Sequence, residues 1–391
     1  MDLMSEFGDL PPGCVPSCGA CPDRAFPLAA SLARKRARAA RALARWEGVL
    51  GDLISVSGEK TLEYRDRVAL AARRDGEGGW RFGMEGGGSR FLRPRPFVTL
   101  HECPVHTPRV RRVMALLAHA LPPDEPEGRF PLAFLAVSGA QCTLVVKSRQ
   151  DPGTDWVFAS RDGRAPLSEG LAAAGMEGLW IHLHPAAGVH LFAKGGWKLA
   201  WGVPRSRDCR GFLYGPSSFS QLLPELHGAS LEEAEAFLRP APGDAVLDLY
   251  CGIGASLSLW GLSGARTLGV EAGGEAAECA AINAPTSQVL RGSCSDRIPQ
   301  FREFLLSVPP GRRAAYVNPP RTGLEPGVAR ALAEEIRPAR LAYLSCSPGT
   351  LARDLAILEP GGYRVKRLSP YDFFPRTAAV EVLALLERRE G

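Results

Sequence analysis

Hydrophobic residues in the last third of the chain form short runs that alternate with helical patterns. The runs VLDLY, ARTLGVE, AAYV, RLAYLS and VEVLALLE are each typical of a buried strand, and ASLEEAEAFLRP, which begins at Ala229, is typical of a helix. Alternating strands and helices form doubly wound parallel sheets. The pattern therefore predicts an α/β domain over residues 228–391.

The earlier residues carry a different pattern. Thr61 to Gly88 predict a β-hairpin around the turn DGEGG, and residues 110–121 predict a helix. Five runs rich in β-branched or aromatic residues follow: FPLAFLAV, CTLVVKS, WVFAS, LWIHLH and VHLFAKGG. We therefore expect three regions, namely residues 1–110, a strand-rich central region 111–227 and the α/β domain.

Composition places the protein among folded globular proteins. It has 391 residues, of which 45% are hydrophobic and 23% charged. No apolar run reaches membrane-spanning length, and the acidic first ten residues lack the basic segment of a signal peptide. The sequence therefore predicts a soluble, cytoplasmic protein.

Positive charge concentrates in one predicted helix, although the net charge is only +5. Ser31 to Trp46 carry six cationic residues: Arg34, Lys35, Arg36, Arg38, Arg41 and Arg45. A basic helix of this kind suits contacts to nucleic-acid phosphates, and it is equally typical of a solvated helix face.

Three of the ten cysteines cluster near the N-terminus, as Cys14, Cys18 and Cys21. Thiolates at this spacing, separated by Gly and Pro turns, can converge on one metal, and Cys103 is the natural fourth ligand. Thiolate ligands fit either zinc or an iron–sulfur cluster. His101 and His106 flank Cys103, so a zinc site with both cysteine and histidine ligands is also an interpretation of this pattern. The alternative is a set of free cysteines in a flexible arm.

The motif D-x-x-x-G-x-G, from Asp248 to Gly254, stands where a strand gives way to a helix. Gly252 and Gly254 let the backbone approach a ligand closely. Glu271 ends the next strand, where a carboxylate can bind ribose hydroxyls. The third glycine of a dinucleotide fold is missing, so S-adenosylmethionine fits this loop better than NAD.

Three further motifs lie at or near the ends of later strands. Asn318-Pro-Pro-Arg321 ends one strand, and an N-P-P turn recurs in nucleobase amino-methyltransferases, although those usually have an aromatic residue after the prolines. Cys346 ends another strand just before a helix, a position that favours a thiolate. Glu381 lies in the apolar final strand, either at a solvent-facing edge or partly buried as a general base would be.

Taken together, these motifs closely resemble the RNA 5-methyluridine (uracil-C5) methyltransferase family. YLSCSPGTLARD (Tyr343 to Asp354), preceded by NPPR and followed by FFPRTAAVE, is similar to that family's (D/N)PPR, SCNPxTxARD and FPHTxHVE motifs, in the same order. Several members also carry cysteine clusters near the N-terminus. The resemblance extends from Cys14 to the C-terminus.

The resemblance implies a role for each matching residue. Cys346 falls on the nucleophile that attacks uracil C6, and Glu381 on the general base that removes the C5 proton. The implied S-adenosylmethionine contacts are Gln221, Tyr250, Gly252, Gly254, Glu271 and Asn318. The implied ligands of a [4Fe-4S] cluster are Cys14, Cys18, Cys21 and Cys103.

The resemblance also implies the architecture and the partner. It implies a C-terminal Rossmann-like methyltransferase domain, preceded by a mixed α+β RNA-binding region and a cysteine-cluster segment. The chain is most similar to the compact rRNA-modifying branch, which lacks an additional N-terminal β-barrel, so rRNA is favoured over tRNA. No membrane or protein partner is implied.

The chain departs from the family pattern at five positions: Leu223, Ala255, Ser347, Arg376 and Ala379. These departures concern substrate positioning and rate. Two alternative functions follow from them and from the N-P-P turn. One is a catalytically silent RNA-binding protein on the same scaffold, and the other is an amino-group nucleobase methyltransferase.

Overall fold

The computed structural model describes residues 10–76, 79–85, 96–121, 130–160, 163, 165–188 and 190–389. The chain divides into two compact units. Phe26–Gly58 and Ser218–Gly391 form one, here called the α/β unit, and Gly8–Ala25 and Glu59–Ser217 form the other, the mixed-sheet unit.

The strands and helices are numbered in chain order. The strands are β1 Arg67–Arg74, β2 Trp80–Glu85, β3 Phe97–Thr99, β4 Leu132–Ser138, β5 Gln141–Val146, β6 Gly178–Leu183, β7 Trp197–Gly202, β8 Ser206–Arg207, β9 Leu213–Tyr214, β10 Ala245–Leu249, β11 Arg266–Glu271, β12 Gln288–Arg291, β13 Arg313–Val317, β14 Arg340–Ser345, β15 Tyr363–Tyr371 and β16 Glu381–Arg388. The α-helices are α1 Leu28–Ala42, α2 Pro108–Ala120, α3 Asp155–Phe158, α4 Leu167–Ala173, α5 Pro224–Leu238, α6 Ala255–Leu262, α7 Gly274–Asn283, α8 Ile298–Leu306, α9 Pro326–Arg330 and α10 Pro348–Leu358.

The mixed-sheet unit is built on a sheet in the order β3-β2-β1-β4-β5-β6-β7, antiparallel except for the pair β5 and β6. The hairpin predicted from residue 61 onward is confirmed as β1 and β2. Two of the five predicted strands are wrong. WVFAS contains the single helical turn α3, which buries Trp156 and Val157, and residues 190–196 of VHLFAKGG form no strand.

The α/β unit contains a sheet in the order β12-β11-β10-β13-β14-β16-β15. The first five strands are parallel, as predicted, whereas β16 is antiparallel to both of its neighbours. The sequence analysis missed β12, which has only four residues, and β15, whose charged residues follow an edge-strand pattern. This topology is that of a Rossmann-like methyltransferase core.

An N-terminal segment belongs to the α/β unit, so the chain does not divide into the three expected regions 1–110, 111–227 and 228–391. Helix α1 buries Ala39, and Leu43 just after it, in the core of this unit. The chain then follows the outer edge of β15, where the Gly51 amide donates to the Leu368 carbonyl at 2.8 Å and the Ile54 amide to Pro370 at 2.9 Å.

One cation of the basic helix is buried. Lys35 is 0% exposed, and its Nζ donates to the carboxylate of Asp372 and to the carbonyl oxygen of Phe374, the latter at 2.7 Å. Lys35 is therefore no contact for nucleic-acid phosphates and instead anchors the turn that follows β15. Arg34 and Arg41 of the same helix are exposed.

In the part of the chain that the structure describes, no helix is both long enough and apolar enough to cross a bilayer.

Replacing Lys35 with methionine should destabilise the protein strongly. The substitution leaves the Asp372 carboxylate buried without its cation, which costs about 3–5 kcal/mol in free energy of unfolding. Urea unfolding measures this cost. Arg41→Met on the same helix is the matched control and should change stability by less than about 0.5 kcal/mol. Equal midpoints for the two variants would contradict the anchoring role of Lys35.

Candidate active site

The glycine loop after β10 leaves open space at the carboxyl edge of the sheet. Tyr250 has φ +60°, Gly252 has φ +56° and Gly254 has φ +84°. A Cβ at Gly254 would lie 2.9 Å from Cα of Ala280, so α7 packs directly against this backbone. A Cβ at Gly252 would meet nothing within 4 Å, so the loop is open there to a ligand.

Glu271 holds this loop in place at the end of β11. Its Oε2 accepts from the Gly252 amide at 3.0 Å, and its Oε1 accepts from the Gly273 amide at 2.6 Å. The carboxylate is partly exposed and keeps lone pairs free for further donors.

The neighbouring strand ends supply Tyr250 and Asn318. The Tyr250 hydroxyl donates to Glu325 at 3.4 Å, and burial raises its pKa. The backbone amide of Asn318 donates to the Leu249 carbonyl at 3.2 Å, so Asn318 lies beside the last residue of β10. The structure thus brings five of the six predicted cofactor contacts to the ends of three adjacent strands.

The predicted nucleophile and base meet where β14 pairs with β16. Ser345 opposes Val382 in this antiparallel pair, so the next position in the register places Cys346 opposite Glu381. Cys346 is half-buried and is followed by α10, whose first turn is capped by Ser347. Burial raises the pKa of the Cys346 thiol, and the Glu381 carboxylate raises it further.

Glu381 is buried, not at an exposed edge, because β15 covers the outer side of β16. Its side chain is 2% exposed. Burial raises the pKa of this carboxyl to about 8, although a hydrogen bond from Gln221 and the charge of Arg321 both oppose the shift. Gln221 Nε2 donates to Glu381 Oε2 at 3.4 Å, while Gln221 Oε1 is buried without a protein partner.

Arg321 is a member of this site that the sequence analysis missed. Its guanidinium lowers the pKa of the Cys346 thiol, by its charge and by a hydrogen bond, and it also lowers the pKa of Glu381. It is thus the cation that favours the ionised form of both acidic groups. Its position after Asn-Pro-Pro was the available signal, but the sequence could not show where the side chain lies.

The four N-terminal cysteines belong to the mixed-sheet unit. Their thiols form no disulfides. Burial raises the pKa of Cys21 to about 11, and Cys103, Cys18 and Cys14 lie near enough to contribute to this rise. Among the described residues, however, no three His, Cys, Asp or Glu side chains meet in an arrangement that could hold a metal ion.

The mixed zinc alternative stays a prediction: His101 Nε2 accepts from the Phe82 amide at 3.2 Å, whereas Nδ1 of the buried His106 has no hydrogen-bond partner among the described residues.

Comparison with known proteins identifies the family. A family model described as tRNA (Uracil-5-)-methyltransferase matches residues 312–389, which include Asn318, Cys346 and Glu381. The 23S rRNA (uracil(1939)-C(5))-methyltransferase RlmD of Halomonas elongata is 31% identical over 388 residues, covering 96% of this chain and 76% of that protein. The chain belongs to the RNA (uracil-C5)-methyltransferase family.

Other members of the uracil-C5 methyltransferase family agree with this assignment. RlmD of Pseudomonas syringae pv. tomato is 30% identical over 390 residues, covering 95% of this chain and 78% of that protein. The structure of a Pyrococcus abyssi tRNA (uracil-54, C5)-methyltransferase in complex with S-adenosyl-L-homocysteine aligns with TM-score 0.67 at 21% identity, covering 95% of this chain and 86% of that one. It confirms the expected fold.

Replacing Glu381 with glutamine should stabilise the protein at high pH. Because the folded-state pKa of about 8 lies above the usual value, the stability that the protonated carboxyl contributes is present at acid pH and lost as the pH rises through 8. Glutamine cannot ionise and escapes this loss, so the variant should gain about 1–3 kcal/mol near pH 9 and little near pH 5.

Chemical unfolding at the two pH values measures this gain. Glu387→Gln, at the far end of the same strand, removes a carboxylate that is 44% exposed and paired with Lys366. It should show no comparable pH-dependent gain. A Glu381→Gln gain that is equal at both pH values would show that Glu381 is ionised throughout.

Proposed function

We propose that this protein methylates C5 of a uridine in large-subunit ribosomal RNA, using S-adenosylmethionine and a covalent adduct between Cys346 and C6 of the base. The observation that carries the proposal is the placement of a thiol directly opposite a buried carboxyl, with Arg321 beside both. Methylation of uracil C5 through a covalent adduct needs a nucleophile and a base that both reach one pyrimidine ring.

The residues around the glycine loop fit S-adenosylmethionine. Glu271 can accept from ribose hydroxyls, and the open side of Gly252 leaves room for a ligand against the backbone. Gln221 Oε1 is a buried acceptor without a partner, which a bound cation such as a sulfonium or ammonium group would satisfy. Tyr250, Gly254 and Asn318 complete the contact set.

Cys346 is the proposed nucleophile, and it makes C5 of the base reactive. Uracil C5 is too weak a nucleophile to be methylated directly, so the Cys346 thiolate adds to C6, and the C5–C6 π electrons move to form an enolate that is nucleophilic at C5. S-adenosylmethionine, when bound, supplies the methyl group that C5 acquires. Arg321 stabilises the thiolate before the addition.

Glu381 completes the cycle as general base. It removes the C5 proton, the C5–H electrons re-form the double bond, and the bond between Cys346 and C6 breaks to regenerate the thiolate. Burial keeps this carboxylate basic, since its pKa of about 8 exceeds the usual value for glutamate. The target base must be unstacked to reach these groups, so it lies in a loop or is flipped.

Ribosomal RNA is favoured because the relatives from Halomonas elongata and Pseudomonas syringae, which are similar over almost the whole chain, are named as 23S rRNA methyltransferases. The Pyrococcus abyssi structural relative, which is less similar in sequence, is named as a tRNA methyltransferase. The exposed arginines of α1 suit phosphate contacts, whereas Lys35 does not contribute.

One departure from the family motif retains its structural role. Ser347 Oγ accepts from the Thr350 amide at 3.4 Å and so caps α10, as the Asn found at this place in the family pattern could. Serine and asparagine are comparable N-caps, and the helix that follows Cys346 therefore keeps its start. This favours an active enzyme over a catalytically silent scaffold.

We propose further that Cys14, Cys18, Cys21 and Cys103 bind a [4Fe-4S] cluster. Support comes from four thiols that form no disulfides, since Cys14 and Cys18 lie near enough to raise the pKa of both Cys21 and Cys103, and from the close packing of their segments. A Cβ at Gly13 would lie 2.3 Å from the Glu102 carbonyl oxygen, so the residue before Cys14 is pressed against the turn that carries Cys103. The thiols would turn toward one centre on binding.

Glu381→Gln should trap the covalent adduct. Addition and methylation can proceed, but without a base the C5 proton stays and elimination stalls, so a methyl-labelled protein–RNA complex should accumulate and survive denaturing electrophoresis. The measurement uses labelled S-adenosylmethionine with transcripts of large-subunit rRNA and, separately, of tRNA.

Two variants control this experiment. The double variant Cys346→Ala, Glu381→Gln should form no adduct, and Glu387→Gln should turn over like the wild type. If Glu381→Gln turns over normally, the base lies elsewhere. If the wild type methylates tRNA and not rRNA, the proposed substrate is wrong, and if it methylates neither, the silent-scaffold alternative is favoured.

The cluster proposal predicts a brown protein after anaerobic purification, because thiolate-to-iron charge transfer absorbs broadly in the visible region. Cys103→Ser should lose iron and acid-labile sulfide as severely as Cys18→Ser, since each removes one of four ligands. Cys142→Ser, a buried thiol of the same unit, is the control and should keep its iron. Colourless wild type that contains zinc would refute the cluster.

A further inference from the structure

We propose that Arg353 and Asp354, in the second turn of α10, are positioning residues that hold the loop Asn318–Leu324 so that the Arg321 guanidinium lies beside the Cys346 thiol. The inference rests on the proposed function, because it assigns these residues to the same reaction. Neither residue touches the reacting groups themselves. They act through the loop that carries Arg321.

Asp354 is the centre of the contact. Its side chain is 0% exposed and takes part in four hydrogen bonds. Asp354 Oδ2 accepts from the Leu324 amide at 2.8 Å and from the Tyr343 hydroxyl at 2.7 Å, and Oδ1 accepts from Arg353 Nε at 2.8 Å and from its Nη2 at 2.6 Å. One buried carboxylate therefore joins the end of the loop to β14 and α10.

Arg353 holds the middle of the same loop. Its Nη2 donates to the Thr322 carbonyl at 2.9 Å and to the Leu324 carbonyl at 3.3 Å. Thr350, one helical turn earlier, donates to the carbonyl of Arg321 itself at 3.3 Å. Three residues on one side of α10 thus bind the backbone from Arg321 to Leu324.

The loop fits closely against this pair. Gly323 has φ +78°, and a Cβ there would lie 2.5 Å from Arg353 Nη2 and 2.5 Å from Asp354 Oδ2. Only glycine allows the backbone this approach without displacing the pair. The contacts therefore fit one conformation of the loop. A fixed loop backbone limits the positions that the Arg321 side chain can reach, whereas an arginine on a mobile loop would sample many more.

The consequence is electrostatic. Cys346 and Glu381 are both acidic groups in a half-buried site, and Arg321 is the cation that lowers the pKa of each. Arg321 is an exposed residue, so only its loop keeps the guanidinium near the thiol. A loop released from α10 lets the guanidinium move away from Cys346, and solvent then screens its charge more fully. The thiolate then becomes less available for addition to a base.

The test measures the reactivity of the Cys346 thiol directly and needs neither RNA nor methyl transfer. Iodoacetamide alkylation of the full-length protein is followed by mass spectrometry of the peptide containing Cys346, from about pH 6 to about pH 10. Arg321→Gln, Arg353→Gln and Asp354→Asn should each slow alkylation near neutral pH by about three- to tenfold, and shift the rate profile to higher pH. The double variant Arg321→Gln, Arg353→Gln should be no slower than Arg321→Gln alone.

Matched controls separate positioning from general destabilisation. Tyr343→Phe removes a buried hydroxyl from Asp354, whereas Tyr363→Phe removes one that donates to the Pro338 carbonyl at 2.8 Å, away from the loop. The first should slow alkylation and the second should not. Arg302→Gln breaks the exposed pair with Glu335 and is the control for Arg353→Gln.

The outcomes are distinct. Wild-type alkylation profiles in both Arg353→Gln and Tyr343→Phe would overturn the proposal even if Asp354→Asn failed to fold, because Arg353 is half-exposed and its loss is tolerable. Additive slowing in the double variant would also overturn it, since the two residues would then act independently. A wild type that methylates no RNA would refute the proposed function and leave this measurement readable.

Discussion

The antiparallel pairing of β16 with β14 is the constraint on which the site depends. Every other strand of this sheet runs in one direction, and only a reversed last strand can begin where β14 ends. The register of Ser345 with Val382 then sets Glu381 opposite Cys346. A slip of one residue would turn the carboxyl to the other face of the sheet, because side chains alternate along a strand. The proposed nucleophile and base are thus placed by the backbone hydrogen bonds between the two strands.

This placement creates an electrostatic conflict that the surrounding residues moderate. Two acidic groups lie side by side in a partly buried site, where burial raises the cost of ionising each and the Glu381 carboxylate raises that of the Cys346 thiol further. Arg321 offsets that cost for both groups, and Gln221 supplies a hydrogen bond to the ionised carboxyl. A carboxyl that is buried and incompletely neutralised retains a high proton affinity, which suits the proposed removal of a proton from C5. A buried carboxyl of this kind lowers the free energy of unfolding once it ionises, and such a loss of stability commonly accompanies a reactive site.

The local features of the molecule could be predicted from sequence and the non-local ones could not. Strands β10, β11, β13, β14 and β16 have strong apolar patterns. The Gly252 loop and Cys346 are recognisable because each lies in a short sequence motif at the end of such a strand. Helix α1 was recognised as basic, but nothing in its pattern shows that Lys35 has a buried partner at Asp372, which is 337 residues away. The role of Arg321 was missed for the same reason, since it depends on a loop held by another helix. The three-region division failed because packing of α1 against the α/β unit cannot be read from its own residues.

The path of the chain bears on what the cysteine segment does. The polypeptide leaves the mixed-sheet unit after Ala25, contributes Phe26–Gly58 to the α/β unit, and returns at Glu59. The segment with Cys14, Cys18 and Cys21 forms no strand among its described residues, and short turns such as the Cys18 amide to the Val15 carbonyl at 3.0 Å organise it. A segment with few backbone contacts gains the most from a metal group that also binds Cys103, because such a bond fixes its end to a turn next to α2. The proposed cluster would therefore close the mixed-sheet unit structurally, while the proposed catalytic and cofactor-binding residues all belong to the α/β unit.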